Sequence, residues 1–164
     1  MKLGIVSDTH DNLLKVKEIV DFFNNEKVEY VLHAGDIVAP FILLKGFKYL
    51  NCPLTAVFGN NDGDKLLLKK VATELNFDIS LPPKKIVLDN INILMLHAPD
   101  QLDDFIQSNE YDLIIYGHTH RQEIRKVTNV TIINPGEAGG WLTGKSTVGI
   151  VELPSFEAKI VEIR

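Results

Sequence analysis

Five short apolar runs in this chain each end in a side chain that can offer a lone pair. Residues 4–7 lead into Asp8 and His10, residues 28–35 into Asp36, residues 53–59 into Asn60, residues 91–96 into His97, and residues 111–117 into His118 and His120. Runs of this length, rich in Val, Ile and Leu and bounded by turn formers, read as β-strands. The segments between the first three carry a different period. Over residues 12–26 the apolar positions Leu13, Val16, Ile19, Val20 and Phe23 recur at helical spacing, and residues 39–50 and 64–75 also read as helices. Strand and helix therefore alternate through the first half of the chain, the pattern of an α/β protein built from β-α-β units.

From residue 84 onward the pattern shifts to hairpins. Residues 84–97 turn at Asp89-Asn90, residues 123–136 turn at Thr128-Asn129, and residues 146–164 turn about Pro154-Ser155. A helix over residues 99–109 and a strand over 111–118 lie between the first two. There is no repeat, low-complexity segment or linker, so residues 1–164 read as a single domain. With 45% hydrophobic residues the chain can build its core without a disulfide, which its one cysteine, Cys52, could not form within the chain.

In open α/β sheets, ligands bind outside the carboxyl ends of the strands. Asp8, His10, Asp36, Asn60, His97, His118 and His120 all sit there, so side chains scattered over more than a hundred residues can converge. Taken singly, most have an ordinary explanation. An Asp-x-His after a strand can begin a helix cap, with Asp11 and Asn12 as further capping candidates, and Gly35-Asp36 is common strand-to-helix punctuation. Gly117-His118-Thr119-His120 is harder to explain by packing, since two histidines of like orientation at a strand end are rarely needed there. The ordinary explanation would have to hold at five strand ends together, and a metal site explains all five. His33 alternates away from the crevice and reads as a core residue.

The formal net charge of −5 and the absence of any basic stripe argue against duplex nucleic acid and membrane surfaces as partners. No apolar run reaches membrane-spanning length, and residues 1–6 fall short of a signal sequence. The expectation is a soluble, cytoplasmic protein. An anionic substrate would need a local source of positive charge.

The series Asp8-Thr9-His10, Gly35-Asp36, Gly59-Asn60-Asn61-Asp62, His97 and Gly117-His118-Thr119-His120, in this order, resembles the motif series of the calcineurin-like metallophosphoesterases. Asn134-Pro135-Gly136 resembles the turn that closes the site in the small single-domain phosphodiesterases of that superfamily. The resemblance implies a four-layer αββα sandwich of two mixed β-sheets flanked by helices. It also implies two divalent metal ions, with Asp8, His10 and His120 on one, Asn60, His97 and His118 on the other, and Asp36 bridging. Manganese is the favoured metal, with nickel, iron, cobalt or zinc compatible with the oxygen and nitrogen donors.

The chemistry suits that arrangement. A carboxylate can span two cations about 3.5–4 Å apart, the spacing that clamps an in-line phosphoryl displacement. Two divalent ions against two carboxylates, Asp8 and Asp36, leave about two positive charges, or one after a bridging hydroxide binds. An acidic protein could thus attract a small phosphodiester through its metals. In larger relatives a histidine thought to protonate the leaving oxygen stands where this chain has Asn61. An amide cannot supply that proton, so Asn61 is expected to donate a hydrogen bond to phosphate while Asp62 accepts one from Asn61. The expected activity is metal-dependent phosphodiester hydrolysis. Alternatives are a phosphomonoesterase or protein phosphatase, or a non-catalytic interaction scaffold of the same fold. Arg121 and Trp141 receive no role, and a homo-oligomer stays open.

Overall fold

Parallel strand pairing decides the architecture. The computed structural model describes residues 1–164. Strand β1 (Lys2–Val6), helix α1 (Leu13–Asn25), β2 (Tyr30–His33), α2 (Phe41–Lys45), β3 (Leu54–Val57), α3 (Lys65–Glu74) and β4 (Asp78–Ser80) form successive β-α-β crossovers. β1 pairs parallel with β2, β2 with β3, and β3 with β4. The hairpin of β10 (Ser146–Glu152) and β11 (Glu157–Ile163) returns from the far end of the chain. It adds antiparallel to β1, so this sheet has six strands in the order β11-β10-β1-β2-β3-β4.

The second sheet holds β5 (Lys84–Leu88), β6 (Ile91–Met95), β7 (Leu113–Ile115), β8 (Glu123–Val127) and β9 (Val130–Asn134) in the order β5-β6-β7-β9-β8. Its hairpins β5-β6 and β8-β9 are antiparallel, but β6-β7 and β7-β9 are parallel, and α4 (Leu102–Gln107) is the β6-to-β7 crossover. Both sheets are therefore mixed.

Side-chain alternation along the strands builds three apolar layers. Leu3, Ile5, Leu32 and Val57 face Ile93, Met95, Leu113, Ile115 and Ile133 between the two sheets. The opposite face of the first sheet, with Val6, Val31, Leu54 and Ala56, meets Val16, Ile19, Val20 and Phe23 of α1 together with residues of α2 and α3. On the outside of the second sheet Leu94, Ile114 and Ile132 pack on Leu102 and Ile106 of α4. Helices, sheet, sheet and helix make the expected four-layer αββα sandwich. Each fully buried aliphatic side chain contributes roughly 1.5–3 kcal/mol.

The elements depart from expectation in three places. The helix expected over residues 39–50 stops at Lys45, because Gly46 leaves helical geometry at φ −123° and ψ −86°, and a 3-10 turn over Phe47–Tyr49 follows. A Cβ on residue 46 would lie 2.5 Å from Val16, so the break also lets α1 approach. The helix expected over 99–109 is confined to Leu102–Gln107, since Pro99 precedes it and Asn109 has φ +56°. β4 is a short edge strand whose three residues carry no readable period. The capping question resolves in favour of Asn12, whose Oδ1 accepts from the Lys15 amide at 3.3 Å, while Asp11 Oδ1 accepts from the Ala39 amide at 2.9 Å.

Candidate metal centre

All five predicted strand ends open on one edge of the sandwich, and the seven predicted ligand side chains come together there. Asp8 and His10 follow β1, Asp36 follows β2 and Asn60 follows β3, all on the first sheet. His97 follows β6, and His118 and His120 follow β7, on the second. The backbone is bent sharply to do this: Asp8, His10, Asp36, His118 and His120 all have φ between +40° and +65°. Non-glycine residues in this region are uncommon, and a cluster of them marks stored strain of the kind found at functional sites. Val38 at φ +79° belongs to the same loop system.

Small residues allow the loops to close. A Cβ at Gly117 would collide with Ser7 Oγ and lie 2.6 Å from Asp8 Oδ2, and a Cβ at Gly35 would lie 2.5 Å from His97 Nδ1. With glycine at 117 the chain comes near enough for the His118 amide to donate to Asp8 Oδ2 at 3.0 Å.

Two groups of donor atoms result. In the first, Asp8 Oδ1 lies 3.7 Å from His10 Nε2 and 3.4 Å from His120 Nε2, and the two imidazole nitrogens are 3.4 Å apart. In the second, Asn60 Oδ1 lies 2.8 Å from His97 Nε2 and 2.9 Å from His118 Nδ1. Asp36 stands between them, its Oδ2 3.6 Å from His10 Nε2 and 3.5 Å from His97 Nε2. Ligand atoms of Asp8, His10 and His120 all lie within 4.8 Å of one another, as do those of Asp8, Asp36 and His97.

The donor set fits cations. Asp8 is fully buried, yet its Oδ1 has no hydrogen-bond donor, and it points at the Nε2 atoms of two histidines. An uncompensated buried carboxylate oxygen is costly, and a bound cation compensates it. His97 Nδ1 lies 2.8 Å from the Ala34 carbonyl, which can only accept, so Nδ1 carries the proton and Nε2 keeps its lone pair for a metal. Burial alone would raise the Asp36 carboxyl, but the His97 ring when it is protonated, as it can be only without a metal on Nε2, and the Asn61 side-chain and backbone N–H groups hold it well below the usual carboxylate range.

The hydrogen bond expected from Asn61 to Asp62 is not formed. Asn61 donates to Asp36 from both its backbone, 2.8 Å to Oδ1, and its side chain, 2.7 Å to Oδ2. Asp62 does not accept from Asn61. Its buried carboxylate takes the Val38 amide at 2.7 Å and the Gly59 amide at 2.6 Å, because the turn folds Asp62 inward, between two loops that would otherwise carry bare N–H groups. His33 is fully buried as expected, 3.3 Å from Thr9 Oγ1, with Nδ1 accepting from the Gly35 amide at 3.2 Å; burial pushes it down to about 3.

The sequence reading missed Glu137. Its carboxylate, 1% exposed, accepts from the amides of Trp141 (2.8 Å), Leu142 (3.0 and 3.2 Å) and Thr143 (2.8 Å) and from the Thr143 hydroxyl (2.8 Å). Oε1 also lies 3.6 Å from His120 Nδ1. Burial would raise this carboxyl, but the Leu142 and Thr143 donors outweigh it and hold it below its ordinary value. Asn134, read only as part of a turn, braces the His118-His120 loop: its Nδ2 donates to the Gly117 carbonyl and Thr119 Oγ1, both at 3.0 Å. Glu137 follows a sixth apolar strand, β9, and so obeys the same strand-end rule as the seven predicted ligand side chains. In sequence β9 reads as a hairpin arm alone, and its parallel pairing with β7 is invisible there.

The family model of the calcineurin-like phosphoesterase superfamily domain matches residues 1–155. The chain belongs to the calcineurin-like phosphoesterase superfamily. Among the relatives of this phosphoesterase chain, a phosphodiesterase of Methanocaldococcus jannaschii is 40% identical over 160 residues, 96% of each chain. The solved structure of an archaeal phosphodiesterase superposes with a TM-score of 0.94 at 37% identity, covering 99% of both chains. Vps29 of Entamoeba histolytica, solved with zinc, has a TM-score of 0.71 at 16% identity and full coverage of both, a likeness of fold alone.

Proposed function

We propose that residues 1–164 act as one domain and hydrolyse phosphodiesters at a dinuclear metal centre. In it Asp8, His10 and His120 hold one divalent ion, Asn60, His97 and His118 a second, and Asp36 is shared. The observation that carries this is the buried, donor-less Asp8 Oδ1 facing His10 and His120. The 40% identical phosphodiesterase supports the diester over the monoester reading. Bound there, two divalent ions, manganese foremost, would acidify water and draw charge from the phosphoryl oxygens.

The chain's own groups do the rest. Asp36 is held in place by two N–H groups of Asn61, so its second oxygen cannot rotate away from the centre. Asp62 ties the Asn60 loop to the Val38 loop and so fixes where Asn60 Oδ1 points. Asn61 has no proton to give a departing alkoxide, so substrates with good leaving groups are favoured and alkyl monoesters disfavoured. No helix is long and apolar enough to cross a membrane, and a single half-buried free thiol supports a cytoplasmic setting.

The test is hydrolysis of bis(p-nitrophenyl) phosphate with added manganese, abolished by chelator. Asp36→Asn should lose metal binding and activity together, whereas Asp21→Asn on the outer surface of α1 should keep both. Full activity in Asp36→Asn would remove the shared-ligand assignment.

A further inference from the structure

A cavity of about 420 Å³ opens directly beside the donor cluster, and Asn60 and His97 belong to its wall. Its size lies within the range of small-molecule sites, about 300–1,000 Å³. The remaining lining changes character away from Asn60 and His97. Phe58, Leu81, Pro82, Pro83 and Leu96 form an apolar wall, and Lys65, Asp100 and Gln101 supply polar groups. Leu81 is 66% exposed, a large aliphatic side chain left in water at the cavity mouth with two prolines after it. Lys65 is fixed by donating to the Asp62 carbonyl at 2.7 Å, with Nζ 5.8 Å from the centre of the Phe58 ring.

We infer that this cavity binds one ester arm of the substrate, and that the arm is an apolar or aromatic ring rather than a small alkyl group. The inference rests on the phosphodiester reading of the adjoining centre. A phosphorus held beside Asn60 and His97 has its substituents within reach of this cavity, because those two residues line both sites. A methyl or ethyl group would leave the Leu81–Pro82–Pro83 part of the wall in contact with water. A six-membered ring would cover it, and covering apolar surface is the favourable step. Beyond Asn60 and His97 the polar fixtures are Lys65, Asp100 and Gln101, as in sites that use apolar walls for affinity and a small number of polar groups for orientation.

The test separates arm binding from catalysis. With manganese-loaded protein, phenyl phosphate and methyl phosphate are compared as ligands, by inhibition of bis(p-nitrophenyl) phosphate hydrolysis and by chemical-shift changes at leucine methyl groups. Phenyl phosphate should bind at least about tenfold more tightly, the least that one well-buried methylene contributes in an apolar pocket. It should also shift the Leu81 and Leu96 methyls. Leu81→Ser should shrink the preference, whereas Leu14→Ser, at a still more exposed leucine on α1, should leave it intact. Equal binding of the two phosphates, or shifts that bypass Leu81 and Leu96, would overturn the inference even with diester hydrolysis intact. Ring-dependent shifts in a protein that hydrolyses no diester would instead sink the reading beneath it and leave the cavity's preference standing.

Discussion

Replacing Glu137 by glutamine should weaken metal binding from outside the ligand set. The carboxylate takes three backbone amides and one hydroxyl from residues 141–143 and lies 3.6 Å from His120 Nδ1. Glutamine keeps one acceptor oxygen and turns the other into a donor, so at least one backbone N–H, that of Trp141 or of Thr143, faces another donor. A hydrogen bond to a charged group contributes about 1.5–3 kcal/mol. Residues 141–143 are exposed, so water replaces part of what is lost, and the expected destabilisation is about 1–3 kcal/mol. His120 also loses the negative charge 3.6 Å from its Nδ1, a contact too long for a hydrogen bond, so the loss of metal affinity should lie at the low end of the roughly 10–100-fold typical of hydrogen-bonded outer partners. Urea unfolding in chelator measures the first effect and manganese titration calorimetry the second. Trp141, the only tryptophan, donates from Nε1 to the His10 carbonyl at 2.9 Å, so its fluorescence reports whether the loop has moved. Unchanged manganese affinity in Glu137→Gln, with stability lowered or not, would refute the claim that Glu137 positions His120.

Three further outcomes are expected. His33 is held neutral by burial, with a folded value of about 3 against about 6.5 unfolded, so the unfolded chain takes up a proton that the folded one refuses. Stability should therefore fall as pH drops below about 6.5. Between pH 7 and 5 the loss in chelator should be about 2 kcal/mol greater in wild type than in His33→Gln, and parallel curves would contradict it. Gly117→Ala should cost about 1–3 kcal/mol through overpacking against Ser7 and Asp8 and weaken manganese binding, measured by the same titration; wild-type affinity would show that the loop gives way freely. Asn61→His should accelerate poor leaving groups most, by up to about 10²-fold, and aryl leaving groups little; a uniform change would show that position 61 does not serve as the acid's place.

The sequence carried the positions that the fold gathers at one sheet edge because strand ends in α/β proteins are signposted twice, by the apolar run and by the polar residue that stops it. Asp8, Asp36, Asn60, His97 and His118 all have both marks. What it did not carry was partnership between distant elements. Nothing in residues 130–134 says that β9 pairs with β7 as well as β8, and without that pairing Glu137 looks like a loop acid. The direction of the Asp62 side chain was likewise illegible, because it depends on Val38 and Gly59 being brought near by tertiary packing. The break at Gly46 was hidden by a helical period that continues on both sides of it.

The seven donors are divided between the sheets: Asp8, His10, Asp36 and Asn60 hang from one, His97, His118 and His120 from the other. Neither sheet alone offers a complete set, so any ion seated here works as a calliper that gauges the gap between them. Substitutions far from the edge, such as Ile5→Val or Leu113→Ala in the layer between the sheets, change that gap and should be read out as altered metal affinity. The coupling is reciprocal, so an ion bound there would in turn resist any slippage of one sheet over the other.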